Sequence, residues 1–112
     1  VFQAAQEHSE SSGSKVWAIG VDSDQYLVVD DDLKPHLLSS MMKEVGNGIY
    51  LAIEAHISGS WSAGQVTYAL ENGGGGYATS GGYVDDIVDQ LEAFKAQIIG
   101  GDITVSRDPT DY

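Results

Sequence analysis

At 112 residues and 42% hydrophobic composition the chain suits one compact domain, and no apolar run approaches the roughly 20 residues that span a bilayer. With 17 acidic residues against 5 basic ones the formal net charge is −12. That excludes nucleic acid as an ordinary partner, because phosphate binding needs Lys and Arg to displace counterions, and it argues against docking on anionic lipid.

The absence of cysteine removes disulfides, thiolate metal sites and thiol catalysis together. The acidity itself has three readings: a solvated surface that keeps the protein soluble, adaptation to high salt that screens dense carboxylates, or cation binding.

Residues 1–8, VFQAAQEH, read as a short helix ended by the polar run Ser9-Glu10-Ser11-Ser12-Gly13-Ser14. With no initiator Met, no charged leader and no apolar signal segment, the chain is expected to be a processed or excised piece. Residues 16–21, VWAIGV, are a short apolar run bounded by turn signals, the pattern of a strand buried on both faces in a parallel sheet. In open α/β sheets ligands sit beyond the carboxyl ends of such strands. Asp22 stands at that end and is the first candidate for ligand contact.

Residues 22–35 are acidic and irregular, with Tyr26-Leu27-Val28-Val29 expected as a brief extended piece. Pro35 favours an extended predecessor, and residues 36–42 read as a second strand. From residue 43 to 58 the period changes: Val45, Ile49, Ile53 and Ile57 recur every fourth position, predicting an amphipathic helix with one buried stripe, stopped by Gly59. QVTYAL, residues 65–70, alternates and predicts a strand. Gly73-Gly74-Gly75-Gly76 and Ser80-Gly81-Gly82 bracket Tyr77 in what reads as a flexible loop.

Val84, Ile87, Val88, Leu91, Phe94 and Ile98 mark the clearest helix, with Asp85 and Asp86 at its positive end and Lys95 towards its negative one. Gly100-Gly101 ends it, residues 103–105 predict a short last strand, and a tail follows. Strands alternating with helices at this spacing indicate an α/β fold, a mostly parallel sheet with flanking helices.

Several motifs are weighed and set aside. Asp22-Ser23-Asp24 starts like a calcium loop, but Leu27 stands where the sixth-position glycine belongs and Leu33 where the twelfth-position carboxylate belongs. Ser60-Trp61-Ser62-Ala63-Gly64 resembles a nucleophile elbow, yet that elbow needs a strand before it and a helix after it, and here the expected order is inverted. Trp61 is instead read as packing over the helix end. The four-glycine run lacks the following Lys-Ser or Lys-Thr of a phosphate cradle. His8, His36 and His56 are too scattered for a metal site.

Two positions remain. A single carboxylate can accept from both vicinal hydroxyls of a ribose, which suits Asp22. Lys43, one of few cations, is expected at a helix N-terminus, where the macrodipole disfavours positive charge. Reaching into a cleft to donate to a polar ligand would explain it.

Four pieces carry a resemblance: Val1-Phe2-Gln3-Ala4-Ala5-Gln6-Glu7, Trp17-Ala18-Ile19-Gly20-Val21-Asp22-Ser23-Asp24-Gln25, Leu38-Ser39-Ser40-Met41-Met42-Lys43 and Leu70-Glu71-Asn72-Gly73-Gly74. They resemble the C-terminal portion of the basic membrane protein (BMP) family, PnrA-like lipoproteins that bind purine nucleosides for ABC transporters. The resemblance extends to about Val105. It implies part of a type I periplasmic-binding-protein fold, in which two α/β lobes hold a nucleoside across a hinge.

By the same resemblance Asp22 binds the ribose and Lys43 reaches the ligand, while the base-stacking aromatic lies upstream, leaving Phe2 as a helix residue. The chain is then a single α/β fragment, residues 1–112, without the N-terminal lobe, carrying part of the site. The implied partners are a purine nucleoside, ABC transporter membrane subunits, and the missing N-terminal lobe or a second copy. The implied location is extracytoplasmic, as a membrane lipoprotein in the intact parent. No catalytic residue, cofactor or metal is expected, since no acid–base or nucleophile constellation is visible. The alternative is a ligand-sensing or interaction module of the same fold, with a different small molecule or none.

Overall fold

The computed structural model describes residues 1–106 and 108–111. Helix α1 (Phe2–Ser12) leads into strand β1 (Ala18–Asp22), then strand β2 (Leu37–Lys43), helix α2 (Val45–Ser58), strand β3 (Gly75–Tyr77) and helix α3 (Val88–Gly100). The sheet order is β1-β2-β3. β1 and β2 run parallel, with Ala18 opposite Leu37, a register shift after it, and an even ladder from Ile19 opposite Ser39 to Asp22 opposite Met42. β3 lies antiparallel on the other side of β2, with Met41 opposite Tyr77.

Ser9 ties α1 to the sheet. Its Oγ donates to the Ala5 carbonyl at 2.6 Å, accepts from the Val16 N–H at 2.9 Å, and lies 3.3 Å from Nδ1 of the buried His36. His36 is thus accounted for structurally, at the turn that feeds β2. The core sits around β2: Leu37 and Ser40 are fully buried, with Ala18, Ala78, Val84 and Ala5 around them.

Several expectations are corrected. β1 is not buried on both faces: Ala18 and Gly20 face in, whereas Ile19 and Val21 are more than half exposed. Residues 65–70 form no strand: Val66 stands exposed, and the Ala69 N–H donates to Asn72 Oδ1 at 2.7 Å, turning the end of the segment into a 3₁₀ turn (Leu70–Asn72). Residues 103–105 are also irregular, drawn back over the end of α3 by a bond from the Ile103 N–H to the Gln97 carbonyl at 3.2 Å. The stretch at Tyr26 is a 3₁₀ turn (Gln25–Leu27) rather than extended, because Asp24 Oδ1 accepts the Tyr26 N–H at 3.2 Å.

The glycine run is likewise not a free loop. Gly75 and Gly76 pair with β2, and Gly74 is pressed so closely on Tyr68 that an added Cβ would lie 2.4 Å from the Tyr68 carbonyl carbon.

Helices α2 and α3 contain no buried residue. The predicted stripe on α2 exists but is uncovered, with Ile49 58% and Ile57 81% exposed. The radius of gyration is accordingly 17.4 Å, against about 13 Å for a compact chain of this length. No described helix is long and apolar enough to cross a membrane.

Candidate functional site

Because β1 and β2 are adjacent and parallel, their carboxyl ends open side by side. Asp22 is the last residue of β1 and Lys43 the last of β2. Their side chains meet: Lys43 Nζ lies 2.7 Å from Asp22 Oδ1, with both side chains more than half exposed. The two residues singled out in the sequence are therefore brought together at the carboxyl end of the β1–β2 pair.

Lys43 does not open the helix, as expected, but closes the strand; Glu44 is the N-cap of α2. The puzzle of a cation inside a helix N-terminus thus resolves into a cation answering a carboxylate on the neighbouring strand.

The pair leaves capacity on both sides. An ammonium has three donors and an ionised carboxylate two acceptor oxygens, so Asp22 Oδ2 and two Lys43 N–H bonds remain for a polar molecule. Asp22 is also the one non-glycine residue with positive φ, 74°, among the described residues. Left-handed backbone at an ordinary residue is sparsely populated and concentrates at functional sites.

A groove of about 510 Å³ adjoins Lys43, walled by Glu44, Val45, Ile49, Ala52 and Tyr68 and floored by Gly74. The sequence reading missed this wall, since Tyr68 had been placed in a strand. The Tyr68 ring packs 3.4 Å from where a Cβ on Gly48 would stand, and residues 69–74 fold back beside α2 through Asn47, whose Nδ2 donates to the Asn72 and Gly73 carbonyls at 2.9 Å. Asn47 and Gly48 fall in the first turns of α2 as polar and small interruptions of its apolar pattern, the one signal that this face meets another segment.

The remaining candidates do other work. Asp24 caps the 3₁₀ turn and also accepts from the Ser80 hydroxyl, latching the turn to the loop after β3. Trp61 sits at the end of α2, its ring 6.4 Å from that of His56, and is more than half exposed. The elbow-like Ser62 lies in irregular chain with no helix after it. Phe2 is half-buried at the first position of α1. Among the described residues no group of three or more His, Asp or Glu side chains could hold a metal ion.

The parallel β1–β2 pair thus presents an acidic and a basic side chain side by side at its carboxyl ends, the end at which open α/β sheets hold their ligands. The chain belongs to the family described as ABC transporter substrate-binding protein PnrA-like, whose sequence profile matches residues 1–108. It is 35% identical over 113 residues to the ABC transporter nucleoside-binding protein BmpA of Lactococcus lactis subsp. cremoris (strain MG1363), a match covering 94% of this chain and 32% of that protein.

The chain thus spans about a third of the length of the curated relative it matches. A crystal structure of ABC transporter system solute-binding proteins from Aeropyrum pernix K1 superposes with a TM-score of 0.53 at 19% identity, over 92% of this chain and 36% of that one. That likeness supports the α/β fold, and the family membership bears out the resemblance read from the four sequence pieces.

Proposed function

We propose that this chain supplies part of the ligand cleft of an ABC transporter substrate-binding protein, a non-enzymatic component acting outside the cytoplasm at the membrane, and that its ligand is a purine nucleoside. Asp22 accepts from the ribose hydroxyls through Oδ2, and Lys43 donates to the same ligand while holding Asp22 through Oδ1. The chain stands as a fragment of a two-lobed protein, with the rest of the cleft contributed by the other lobe.

The observation that carries this reading is the 2.7 Å Asp22–Lys43 pair at the adjacent carboxyl ends of two parallel strands. Membership of the PnrA-like family and the nucleoside-binding name of the Lactococcus relative support it. An open, half-exposed pair cannot by itself desolvate a ligand, so tight binding requires closure of a second wall over it. Such closure, favoured by ligand, is what a transporter would sense.

Titration calorimetry with inosine, guanosine and adenosine on the intact two-lobed protein tests this. Binding is expected, and Asp22→Ala should weaken it at least tenfold, the order of effect of removing a charged hydrogen-bond partner of ligand. Unchanged affinity in Asp22→Ala would overturn the site assignment.

A further inference from the structure

The turn bearing Asp22 is held by a side chain to which nothing above assigns a role. Asp22 at φ 74° sits in a conformation that an L-residue adopts at a cost of roughly 1–2 kcal/mol, so neighbouring contacts must fix it there. Its flanking residues are both bound by one amide: Gln25 Nε2 donates to the Val21 carbonyl at 3.1 Å and to Ser23 Oγ at 3.2 Å. A carboxamide has two N–H donors, and here one serves the residue before Asp22 and the other the residue after it.

The base of Gln25 is itself anchored. Its backbone N–H donates to Oγ of Ser40 at 3.1 Å, and Ser40 is fully buried in β2. Its Cβ and Cγ fill the space above Gly20, where an added Cβ would lie 2.8 and 2.5 Å from them. Gln25 is therefore fixed to the middle of both strands and reaches forward to staple the turn that follows β1.

We infer that Gln25 is a positioning residue, which holds Asp22 in its left-handed backbone and thereby aims the carboxylate at Lys43 and at the ligand; as regards ligand, this rests on the reading of Asp22 proposed above. The rival account is that the sheet ladder and the Asp24–Ser80 latch fix the turn unaided. In that case the Gln25 amide is dispensable and only its aliphatic packing matters.

Two near-isosteres separate the accounts. Gln25→Met keeps the packing over Gly20 and loses both donors, and Gln25→Glu keeps the shape but cannot donate to the Val21 carbonyl. NMR on the ligand-free chain reads two signatures: the strong intraresidue amide–Hα cross-peak that a positive φ gives Asp22, and the slowly exchanging ammonium signal of a paired Lys43. Both are expected to be lost in both variants while cross-strand signals between β1 and β2 persist. Retention of both signatures in either folded variant overturns the inference.

Calorimetry with inosine on the intact two-lobed protein then links the clamp to binding. Gln25→Met should weaken affinity about tenfold in the wild-type background and have no further effect in the Asp22→Ala background, because it acts only through Asp22. If Gln25→Met weakens binding equally in both backgrounds, the positioning role falls. If Asp22→Ala leaves inosine affinity unchanged while the NMR signatures behave as expected, the clamp stands and the assignment of Asp22 to the ligand site falls. If the signatures persist in both Gln25 variants while Asp22→Ala abolishes binding, the clamp falls and the ligand site stands.

Discussion

Replacing Gly20 with alanine perturbs the point where β1, β2 and the turn bearing Asp22 interlock. The new Cβ would stand 2.4 Å from Ser40 Oγ, 2.5 Å from Gln25 Cγ and 2.8 Å from Gln25 Cβ, against about 3.5–4.0 Å for comfortable contact. Ser40 cannot retreat: it is wholly buried, and it is the registered partner of Gly20 across the β1–β2 ladder. Gln25 can swing away, but only by giving up its N–H bond to Ser40 and its amide bonds across Asp22.

Overpacking costs about 1–3 kcal/mol and the loss of even one of these hydrogen bonds about 1 kcal/mol more, so a loss of at least roughly 2–4 kcal/mol is expected. For a chain of 112 residues that lowers the melting temperature by about 10 °C. Ser40→Ala alone should cost about 1 kcal/mol for the orphaned Gln25 N–H, yet combined with Gly20→Ala it removes the worst clash. The double variant should therefore be more stable than the sum of the single losses by at least about 0.5 kcal/mol, measured by urea unfolding. An unchanged midpoint in Gly20→Ala, or strict additivity in the pair, refutes the reasoning.

At Gly74 an added Cβ meets backbone, 2.4 Å from the Tyr68 carbonyl carbon and 2.5 Å from its oxygen, so nothing can rotate aside. Gly74→Ala should cost about 3 kcal/mol in urea unfolding, with the bond from the Glu44 N–H to the Gly74 carbonyl broken; a shift below 1 kcal/mol contradicts this. Tyr77 Oη donates to Glu92 Oε1 at 2.9 Å, which holds Glu92 below the usual carboxylate range with help from Lys95, and the same bond raises Tyr77 above its ordinary value.

A depressed carboxylate contributes stability above its unfolded value and loses it as pH falls through its folded value. The melting-temperature gap between wild type and Tyr77→Phe should hold steady near neutrality and close in acid. It should also close at alkaline pH, above the raised value of Tyr77; a gap that ignores pH is the contrary result. Asp24→Ala should cost about 1 kcal/mol and speed hydrogen exchange of the Tyr26 amide, whereas Ser80→Ala should leave that amide protected; equal exchange in both variants contradicts the capping role.

What the sequence made legible follows from how each element is held. β1 and β2 announce themselves as short apolar runs ending in polar residues, and their ends carry Asp22 and Lys43. α2 and α3 are visible from periodicity alone, because a helix makes its own hydrogen bonds. Periodicity reports which face of α2 is apolar, however, and not whether anything covers it; Val45, Ile49, Ile53 and Ile57 are all more than half exposed.

β3 was invisible for the opposite reason. Gly75 and Gly76 carry no side-chain pattern, and the strand exists through its backbone ladder to Met42 and Lys43 of β2, a pairing that local sequence does not show. QVTYAL has the composition of a strand but pairs with none, and strand pairing is a tertiary fact that local pattern cannot supply. Gln25 closes the piece that carries Asp22, but its role depends on reaching both Val21 and Ser23 from a turn whose shape sequence does not reveal.

The energetics of Asp22 separate stability from function. An exposed ion pair contributes about 0–1 kcal/mol, while a non-glycine residue in left-handed backbone costs about 1–2 kcal/mol; on balance Asp22 at φ 74° is neutral or destabilising for the fold. Glycine takes that conformation without strain. Asp22→Gly should therefore leave the melting temperature unchanged or raise it by a few degrees, even though it deletes the pair with Lys43. On the proposed reading the same change removes the acceptor for ribose hydroxyls, so inosine affinity should fall at least tenfold. Differential scanning calorimetry and titration calorimetry on one preparation read both quantities. A fall in stability of more than about 2 kcal/mol would mean that the Asp22–Lys43 pair is structural after all, its position at the strand ends serving the sheet rather than a ligand.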